Sequence, residues 1–219
     1  MVKLSIVLLA TLMAMAPLLI MASRPGGGGE GGYSDLDRSP YSVERWFKRL
    51  RHAREKLTRL HFFFQDKVSG KRPTAEEIAR ANVTSESPTF FGLTRVFDDP
   101  LTVGPSPHSK TIGHGQGIYS LTSQEDLSLL FSFNFVFTEG KYKGSTISVQ
   151  GRNPLSAKYR EMPIIGGTGA FRLAKGSAIL STFWSNETSQ DGIVEFTLMV
   201  VHYEELKYDH QDIELVHGF

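Results

Sequence analysis

The stretch Leu127-Ser-Leu-Leu-Phe-Ser-Phe-Asn-Phe-Val-Phe-Thr138 decides the fold class of this chain. Its first residue and every second one after it are apolar, and the positions between them include Ser128, Ser132 and Asn134. Because successive side chains of a strand point to opposite faces, this pattern predicts a β-strand with one aromatic face. An inward aromatic face would fill a core. An outward one, packed on another layer or subunit, would leave a polar lumen that could hold a ligand.

The same alternation recurs along the chain. Further predicted strands span residues 57–66, 90–98, 111–121, 142–150, 160–165, 171–183 and 193–203. Short turns such as Glu139-Gly-Lys141 separate them, and no long helical pattern lies between them. Residues 73–81 are expected to form one helical turn on a loop. The sequence therefore predicts an all-β fold, either an antiparallel barrel or a sandwich.

The composition of the chain argues against several classes of function. The chain has 219 residues, and its 24 Lys and Arg against 23 Asp and Glu give a formal charge of +1. This balance gives no reason to expect a nucleic acid as partner. The absence of cysteine excludes thiol catalysis and thiolate metal sites. The histidines at His61, His108, His114 and His202 show no spacing typical of a metal site, so neither a metal nor another cofactor is expected.

Residues 1–23 are predicted to be a secretory signal. Lys3 precedes a long uncharged, apolar stretch that ends at the small residues Ala22 and Ser23. The stretch is also near the length of a membrane span, so a signal anchor is the alternative. In both cases the rest of the chain would face the lumen or the outside of the cell.

Four segments are predicted in all. After the signal, residues 24–56 read as a Gly-rich linker and a short basic helical segment, residues 57–204 as the β-barrel domain, and residues 205–219 as a C-terminal tail. The sequons Asn82-Val-Thr84 and Asn186-Glu-Thr188 predict N-glycosylation of Asn82 and Asn186 on a secreted chain.

Two glycine-rich runs have structural interpretations. The run Gly166-Gly-Thr-Gly169 lacks the Lys-Ser/Thr of a Walker loop and the spacing of a dinucleotide fingerprint. It is predicted to be a tight turn between strands and not a phosphate site. The run Gly113-His-Gly-Gln-Gly117 lies inside a predicted strand, where it favours a bulge or close strand packing.

Carboxylates at the ends of two predicted strands are the candidates for chemistry. Asp66 ends the first strand, and Asp98-Asp99-Pro100 follows the second. A carboxyl group at the apolar mouth of a barrel has a raised pKa and can act as a general acid, unless a nearby arginine holds it as the anion. Because Asp before Pro also suits a turn, at least one of Asp98 and Asp99 is expected in a turn.

Taken together, these stretches resemble the plant dirigent proteins. The resemblance covers almost all of the chain from Leu57 to Tyr203, and the segments that carry it occur in the same order as in the family. These segments are Leu60-His-Phe-Phe-Phe-Gln-Asp66, Ser69-Gly70, Pro73-Thr74, Val96-Phe-Asp-Asp-Pro-Leu-Thr102, Gly113 to Tyr119, Phe131-Ser-Phe-Asn-Phe-Val-Phe137, Gly144-Ser-Thr-Ile-Ser148 and Arg160 to Gly176. The first segment has Gln65-Asp66 where His-Asp is more usual in the family.

The resemblance implies a barrel of eight antiparallel strands, of the dirigent and allene oxide cyclase type, in a homodimer or homotrimer secreted to the apoplast. Dirigent proteins orient phenoxy radicals, which a separate laccase or peroxidase makes from monolignols such as coniferyl alcohol. The coupling then gives one stereoisomer of a lignan. Relatives that resemble pterocarpan synthases instead remove water from an isoflavanol. A binding or defence module without chemistry is the third alternative.

The resemblance also implies roles for individual residues. Asp66 would be the acid, and Asp99 is a second candidate. Arg160 matches the family arginine ahead of the glycine turn, where it would pair with a carboxylate or bind a phenolic oxygen. Tyr119 and Phe64 would contact the substrate.

Asn153 is a departure from the family pattern. Lignan-forming members have Asp at this position, seven residues before the arginine, and it would also contact the substrate. An asparagine can donate a hydrogen bond but cannot transfer a proton. The strings Gly151-Arg-Asn-Pro154 and Arg160-Glu-Met-Pro163 look more like the branch that contains pterocarpan synthases.

Overall fold

A computed structural model describes residues 37–204 of the chain. Within this range there are one α-helix and nine strands. They are α1 Pro40–Arg49, β1 Arg54–Asp66, β2 Ala75–Ala79, β3 Thr94–Thr102, β4 Thr111–Leu121, β5 Ser128–Phe137, β6 Thr146–Pro154, β7 Arg160–Thr168, β8 Lys175–Ser185 and β9 Gly192–Glu204. Short 3₁₀ turns span Leu50–His52, Asn82–Ser85, Gly140–Tyr142 and Gly169–Phe171. The predicted signal at 1–23, the glycines of the linker and the tail at 205–219 lie outside the described residues.

Eight of the strands close into an antiparallel barrel in the order β1-β9-β8-β7-β6-β5-β4-β3. The barrel closes where Phe63 and Phe64 of β1 pair with Thr102 and Leu101 of β3. Strand β2 lies outside the ring and pairs with the first part of β3. The predicted eight-stranded antiparallel barrel is therefore confirmed, and the sandwich alternative is wrong.

The aromatic face of β5 points into the barrel. The four phenylalanines from Phe131 to Phe137 are buried, whereas Asn134 is exposed and Ser132 is half-buried. The ring centroids of Phe133 and Phe135 lie 4.8 Å apart in an edge-to-face contact, a favourable geometry for aromatic pairs. The alternative of a polar lumen behind an outward aromatic face is therefore wrong for this strand.

The glycines of β4 let neighbouring groups approach its backbone. A Cβ atom on Gly117 would lie 2.3 Å from Cβ of Phe133 on β5, and one on Gly115 would lie 2.3 Å from Cε2 of Phe64 on β1. No side chain fits at such distances without a shift of its neighbours. The predicted close strand packing is confirmed. A register shift of β3 against β4 adds an irregularity between Leu101 and Thr102.

Residues 73–81 do not form the expected helical turn. Residues Ala75–Ala79 form β2, which pairs along the free edge of β3. The sequence Ala-Glu-Glu-Ile-Ala has good helix propensity, but tertiary pairing overrides so weak a preference.

Asp98, Asp99 and Pro100 lie inside β3, so the prediction that at least one aspartate occupies a turn is wrong. Pairing of β3 with β2 ends at Phe97, and pairing with β1 begins at Leu101. Pro100 therefore lies in the gap between the two ladders, where a residue without an N–H group breaks no ladder hydrogen bond. Asp98 fills part of this gap, because its N–H donates to the carbonyl of Thr74 at 2.8 Å.

The turn after β7 begins later than predicted. Strand β7 continues to Thr168, and the chain turns at Gly169–Phe171. Gly169 has a φ of +65°, which glycine adopts without strain. Gly167 is needed for another reason, since a Cβ atom there would lie 2.5 Å from the carbonyl oxygen of Thr146.

Helix α1 begins at an N-cap, where the Ser39 hydroxyl accepts a hydrogen bond from the N–H of Ser42 at 3.2 Å. The indole ring of Trp46 on this helix lies under the guanidinium of Arg172, with Cζ of the arginine 5.5 Å from the ring centroid. The predicted short helix is thus present. No helix among residues 37–204 is long and apolar enough to cross a membrane.

Candidate functional site

A cavity of about 700 Å³ opens at the end of the barrel where β1, β4, β6 and β8 finish and β3, β5, β7 and β9 begin. Such a volume is typical of a site for a small organic ligand. Its wall combines apolar and aromatic side chains with a few polar ones. The lining includes Phe64, Leu93, Tyr119, Leu121, Leu129, Phe131 and Val194 among the apolar and aromatic residues, and Asp66, Arg95, Asn153, Arg160, Thr182 and Gln190 among the polar ones.

The fold brings most of the sequence-predicted site residues together. Asp66, Phe64, Tyr119, Asn153 and Arg160 come from four different strands and all line this cavity. Residues at strand ends are held by the rigid sheet behind them, so their side chains converge in a fixed arrangement.

Asp99 lies behind the wall and does not line the cavity. Continuing the register in which Phe64 pairs with Leu101 places Asp99 of β3 opposite Asp66 of β1. Asp99 is completely buried, and neither of its carboxylate oxygens makes a hydrogen bond of normal geometry within residues 37–204. The Oδ1 atom of Asp66 is likewise buried without a partner there.

Burial makes both carboxyl groups weak acids. Burial, opposed by the charge of Arg95 and assisted by that of Asp191, raises the pKa of Asp66 to about 7. Burial and the neighbouring Asp66 raise the pKa of Asp99 to about 9, although Thr74 and the Lys67 backbone act in the opposite direction. Two adjacent buried carboxyls cannot both ionise cheaply, so the pair retains at least one proton near neutral pH.

Arg160 is a buried cation that has no carboxylate partner among residues 37–204. Arg160 is 3% exposed, its Nη2 donates to Oγ1 of Thr182 at 3.0 Å, and its Nε is buried with no partner in the described range. Within the part of the chain that the structure describes, no carboxylate lies within ion-pairing distance, and burial lowers the pKa of the guanidinium. Because an uncompensated buried charge is costly, this arginine is poised to bind an oxygen of a ligand.

Asn153 adds a second unsatisfied group beside the cavity. The side chain is 3% exposed, and its Oδ1 is buried without a hydrogen-bond partner in residues 37–204. An amide can accept a hydrogen bond from a ligand hydroxyl through this atom, and its NH₂ group can donate one.

Arg95 also lines the cavity, although it is not among the site residues that the sequence predicts. It extends from β3, where its Nη1 donates to the Tyr119 hydroxyl at 3.2 Å and its Nη2 donates to Oε1 of Gln190 at 2.6 Å. A signal was present in the sequence, because Arg95 shares the period-two face of Phe97 and Asp99. Burial and the nearby Asp66 raise the pKa of Tyr119 to about 12, so this residue stays a neutral phenol.

The connection between β8 and β9 forms part of the rim. The carboxylate of Asp191 accepts hydrogen bonds from the N–H groups of Val68 and Ser69, both at 2.9 Å, and from the Ser69 hydroxyl at 2.7 Å. Burial favours the neutral form, but these bonds outweigh it and leave the pKa of Asp191 below its ordinary value. This carboxylate therefore has a structural role, joining two loops beside Asp66.

The two sequons lie in different surroundings. Asn186 lines the rim, and its Oδ1 accepts from the N–H groups of Thr188 and Ser189 at 2.9 and 3.1 Å. Asn82 is exposed on the 3₁₀ turn Asn82–Ser85, away from the cavity lining. In the described range, no group of three or more His, Asp or Glu side chains is placed to hold a metal ion.

Comparison with known proteins gives the family to which this barrel belongs. Residues 57–201 match the family profile described as Dirigent-like protein. The chain belongs to the dirigent protein family. Among curated dirigent relatives, Dirigent protein 21 of Arabidopsis thaliana is 50% identical over 151 residues, which are 69% of this chain and 80% of that protein. Pterocarpan synthase 1 of Glycine max is 47% identical over 150 residues, covering 68% and 81%.

Solved dirigent structures give the same result. The pterocarpan synthase dirigent protein GePTS1 is 42% identical, with a TM-score of 0.66, over 69% of this chain and 93% of that one. The pterocarpan synthase dirigent protein PsPTS1 is 41% identical, with a TM-score of 0.64, over 68% and 97%. The resemblance stated from the sequence is therefore confirmed. The dirigent family acts on phenolic substrates, and it includes members that are enzymes.

Proposed function

We propose that this dirigent protein is a dehydratase that binds an isoflavanol-like phenol and removes water from it with Asp66 as the general acid. The observation that carries the proposal is the pair of carboxyl groups formed by the buried Asp99 and by Asp66, whose Oδ1 is buried and whose side chain lines the cavity. An acid that remains protonated near neutral pH is what the departure of a hydroxyl group as water requires. The similarity to two pterocarpan synthases supports the same choice.

In the proposed reaction, Arg160 binds one phenolic oxygen of the substrate as a phenolate. The Asp66 carboxyl donates its proton to the leaving hydroxyl, the C–O bond breaks, and water departs. The electron pair of the phenolate moves into the ring and forms a quinone methide. A second phenolic hydroxyl then attacks the exposed carbon and returns its proton to the Asp66 carboxylate, which restores the phenolate and the acid.

The remaining polar groups position the substrate in this proposal. Asn153, which cannot supply a proton, holds a substrate hydroxyl through hydrogen bonds. Tyr119 and Phe64 contact the aromatic rings of the substrate. Asp99 does not contact the substrate and acts through Asp66. A buried carboxyl group beside Asp66 disfavours a second negative charge there, which helps to keep the acid protonated.

The second candidate function is stereodirected coupling of phenoxy radicals. A cavity of about 700 Å³ with an aromatic wall favours it, since this shape suits two small phenols held together. The radicals would come from monolignols such as coniferyl alcohol through a separate laccase or peroxidase. The acid would then protonate the coupled quinone methide before ring closure. We expect either activity in a chain secreted to the apoplast, N-glycosylated, and assembled as a homodimer or homotrimer.

One experiment separates the two functions. The purified protein is incubated with an isoflavanol bearing two free phenolic hydroxyls, without an oxidant, and separately with coniferyl alcohol with and without laccase. Products are resolved by chiral chromatography. Loss of water from the isoflavanol supports the dehydratase. An enantiomeric excess that needs the laccase supports the coupling function. If neither occurs, both proposals are wrong and the barrel is a binding module.

A further inference from the structure

We infer that Arg95 is a second phenol-binding residue that opposes Arg160, and that the pocket takes a phenol with an oxygen function at each end of its aromatic framework. The inference rests on the proposed binding of phenols. It adds a residue that the family resemblance did not provide and a requirement on the shape of the substrate.

The topology places the two arginines on opposite walls. Arg95 is on β3 and Arg160 is on β7. In the closed ring, three strands separate β3 from β7 in one direction, and three separate them in the other. Both residues line the same cavity at the same end of the barrel. A ligand that spans the cavity therefore meets a guanidinium at each side.

Arg95 is held in place and still has a donor to offer. Its two terminal nitrogens are used by Tyr119 and Gln190, which lie on β4 and on the connection before β9. Its Nε is buried and has no hydrogen-bond partner among residues 37–204, as is also true of the Nε of Arg160. A buried N–H group on a charged side chain is costly to leave unpaired, so each arginine is ready to donate to an oxygen atom.

The wall between the arginines suits an aromatic framework. Phe64 and Phe131 line the cavity together with Leu129. Aromatic rings pack well on such a surface but gain little directional preference from it, so the polar contacts at the two ends must fix the orientation. An oxygen at each end would satisfy both guanidiniums, whereas one oxygen would leave a buried donor unpaired.

The test uses two probes that differ by one hydroxyl group, 4,4′-dihydroxybiphenyl and 4-hydroxybiphenyl. Their affinities for the full chain are measured by isothermal titration calorimetry. We expect the diphenol to bind about tenfold more tightly, as one added charge-assisted hydrogen bond would give. In Arg95→Met the diphenol should lose about tenfold while the monophenol changes little, so the ratio of affinities falls to about one.

Two variants serve as controls for this ratio. Arg80 is also at the rim, but its Nε and Nη2 are bonded to Glu77, both at 2.6 Å, so Arg80→Met should keep the wild-type ratio. Tyr119→Phe removes one support of Arg95 and leaves its guanidinium, so most of the ratio should persist. Thermal melts check that each variant is folded, and Arg95→Gln replaces Arg95→Met if that variant does not fold.

Each outcome decides something. If the wild type binds both probes equally, or if the Arg95 variant keeps the ratio, the inference is wrong while phenol binding stands. If Tyr119→Phe abolishes the ratio as fully as the Arg95 variant, Arg95 only supports Tyr119 and is not an anchor. If the wild type binds neither probe, the proposed phenol pocket fails together with the inference.

Discussion

Asp66 and Asp99 are neighbours at the β1–β3 seam of the barrel, where the register of the two strands, continued by two residues, places them opposite each other, and Asp99 has no surface exposed to solvent. Burial raises the pKa of both groups, and the neighbouring Asp66 makes Asp99 harder still to ionise. This relationship links the acid chemistry proposed for Asp66 to the stability of the fold, and it can be tested through both.

The stability of the protein should fall as the pH rises. The folded-state pKa values of about 7 for Asp66 and about 9 for Asp99 lie above the ordinary value of 3.8. Between about pH 4 and pH 9 the unfolded chain has released protons that the folded chain retains, so rising pH favours unfolding. Asp99→Asn should flatten this slope and gain about 4 kcal/mol relative to the wild type between pH 5 and pH 8, because one retained proton changes the free energy of unfolding by about 1.4 kcal/mol per pH unit. Urea unfolding at several pH values measures the difference, and parallel curves for the two proteins would contradict it.

Asp66→Asn should abolish turnover while the barrel persists. An amide of the same shape cannot donate a proton, and the loss of a general acid lowers the rate by about 100-fold or more. In the wild type, activity should decline above about pH 7, where Asp66 ionises. Chiral chromatography and circular dichroism provide the two readouts. Full retention of rate and enantiomeric excess in a folded variant would remove Asp66 from the mechanism.

Arg160→Met should separate stability from function. The buried guanidinium has only the Thr182 hydroxyl as a partner in the described structure, so its removal relieves the cost of an uncompensated charge. We expect a free energy of unfolding that is unchanged or about 1 kcal/mol higher, and an activity at least about tenfold lower. Thr182→Val is the matched control, since it removes the hydrogen bond and keeps the charge. A strongly destabilised Arg160→Met would show that the arginine is compensated.

Gly115→Ala should disturb the pocket through Phe64. The added methyl would lie 2.3 Å from Cε2 of Phe64, whose ring lines the cavity. Overpacking of this kind costs about 1–3 kcal/mol, and a displaced ring would also weaken ligand binding. Gly166→Ala is the control, because a Cβ atom there meets nothing within 4 Å. Its effect should stay within about 0.5 kcal/mol, and equal melting temperatures for the two variants would count against this packing.

Much of the fold follows from local pattern. The alternation in β5 and β4 depends only on which residues tolerate burial, and the boundary of β4 at Thr111–Leu121 agrees with the sequence. Strand β2 could not be predicted in this way. Its sequence suits a helix, and only the free edge of a strand about twenty residues later makes it extended.

The site residues likewise include some that the sequence predicts and some that only the tertiary structure reveals. Asp66, Tyr119, Asn153 and Arg160 were predicted because they match a family pattern, and the structure brings them to one cavity. Arg95 matched no such pattern, although it lies two residues before Phe97 on the inner face. The meeting of Asp66 with Asp99 depends on how the first and third strands close the ring, and pairings between distant strands leave no local trace in a sequence.

The closure of the barrel has a consequence for its motion. The β1–β3 ladder joins only Phe63 with Thr102 and Phe64 with Leu101, whereas β1 pairs with β9 along its whole length. The barrel is thus a rolled sheet whose first and last strands are joined only by this short ladder, here called the clasp. The clasp should open first when the protein is warmed or when it binds a bulky ligand. Amide hydrogens at the clasp would then exchange with solvent before those of β9, and the cavity would widen on the side of its acid.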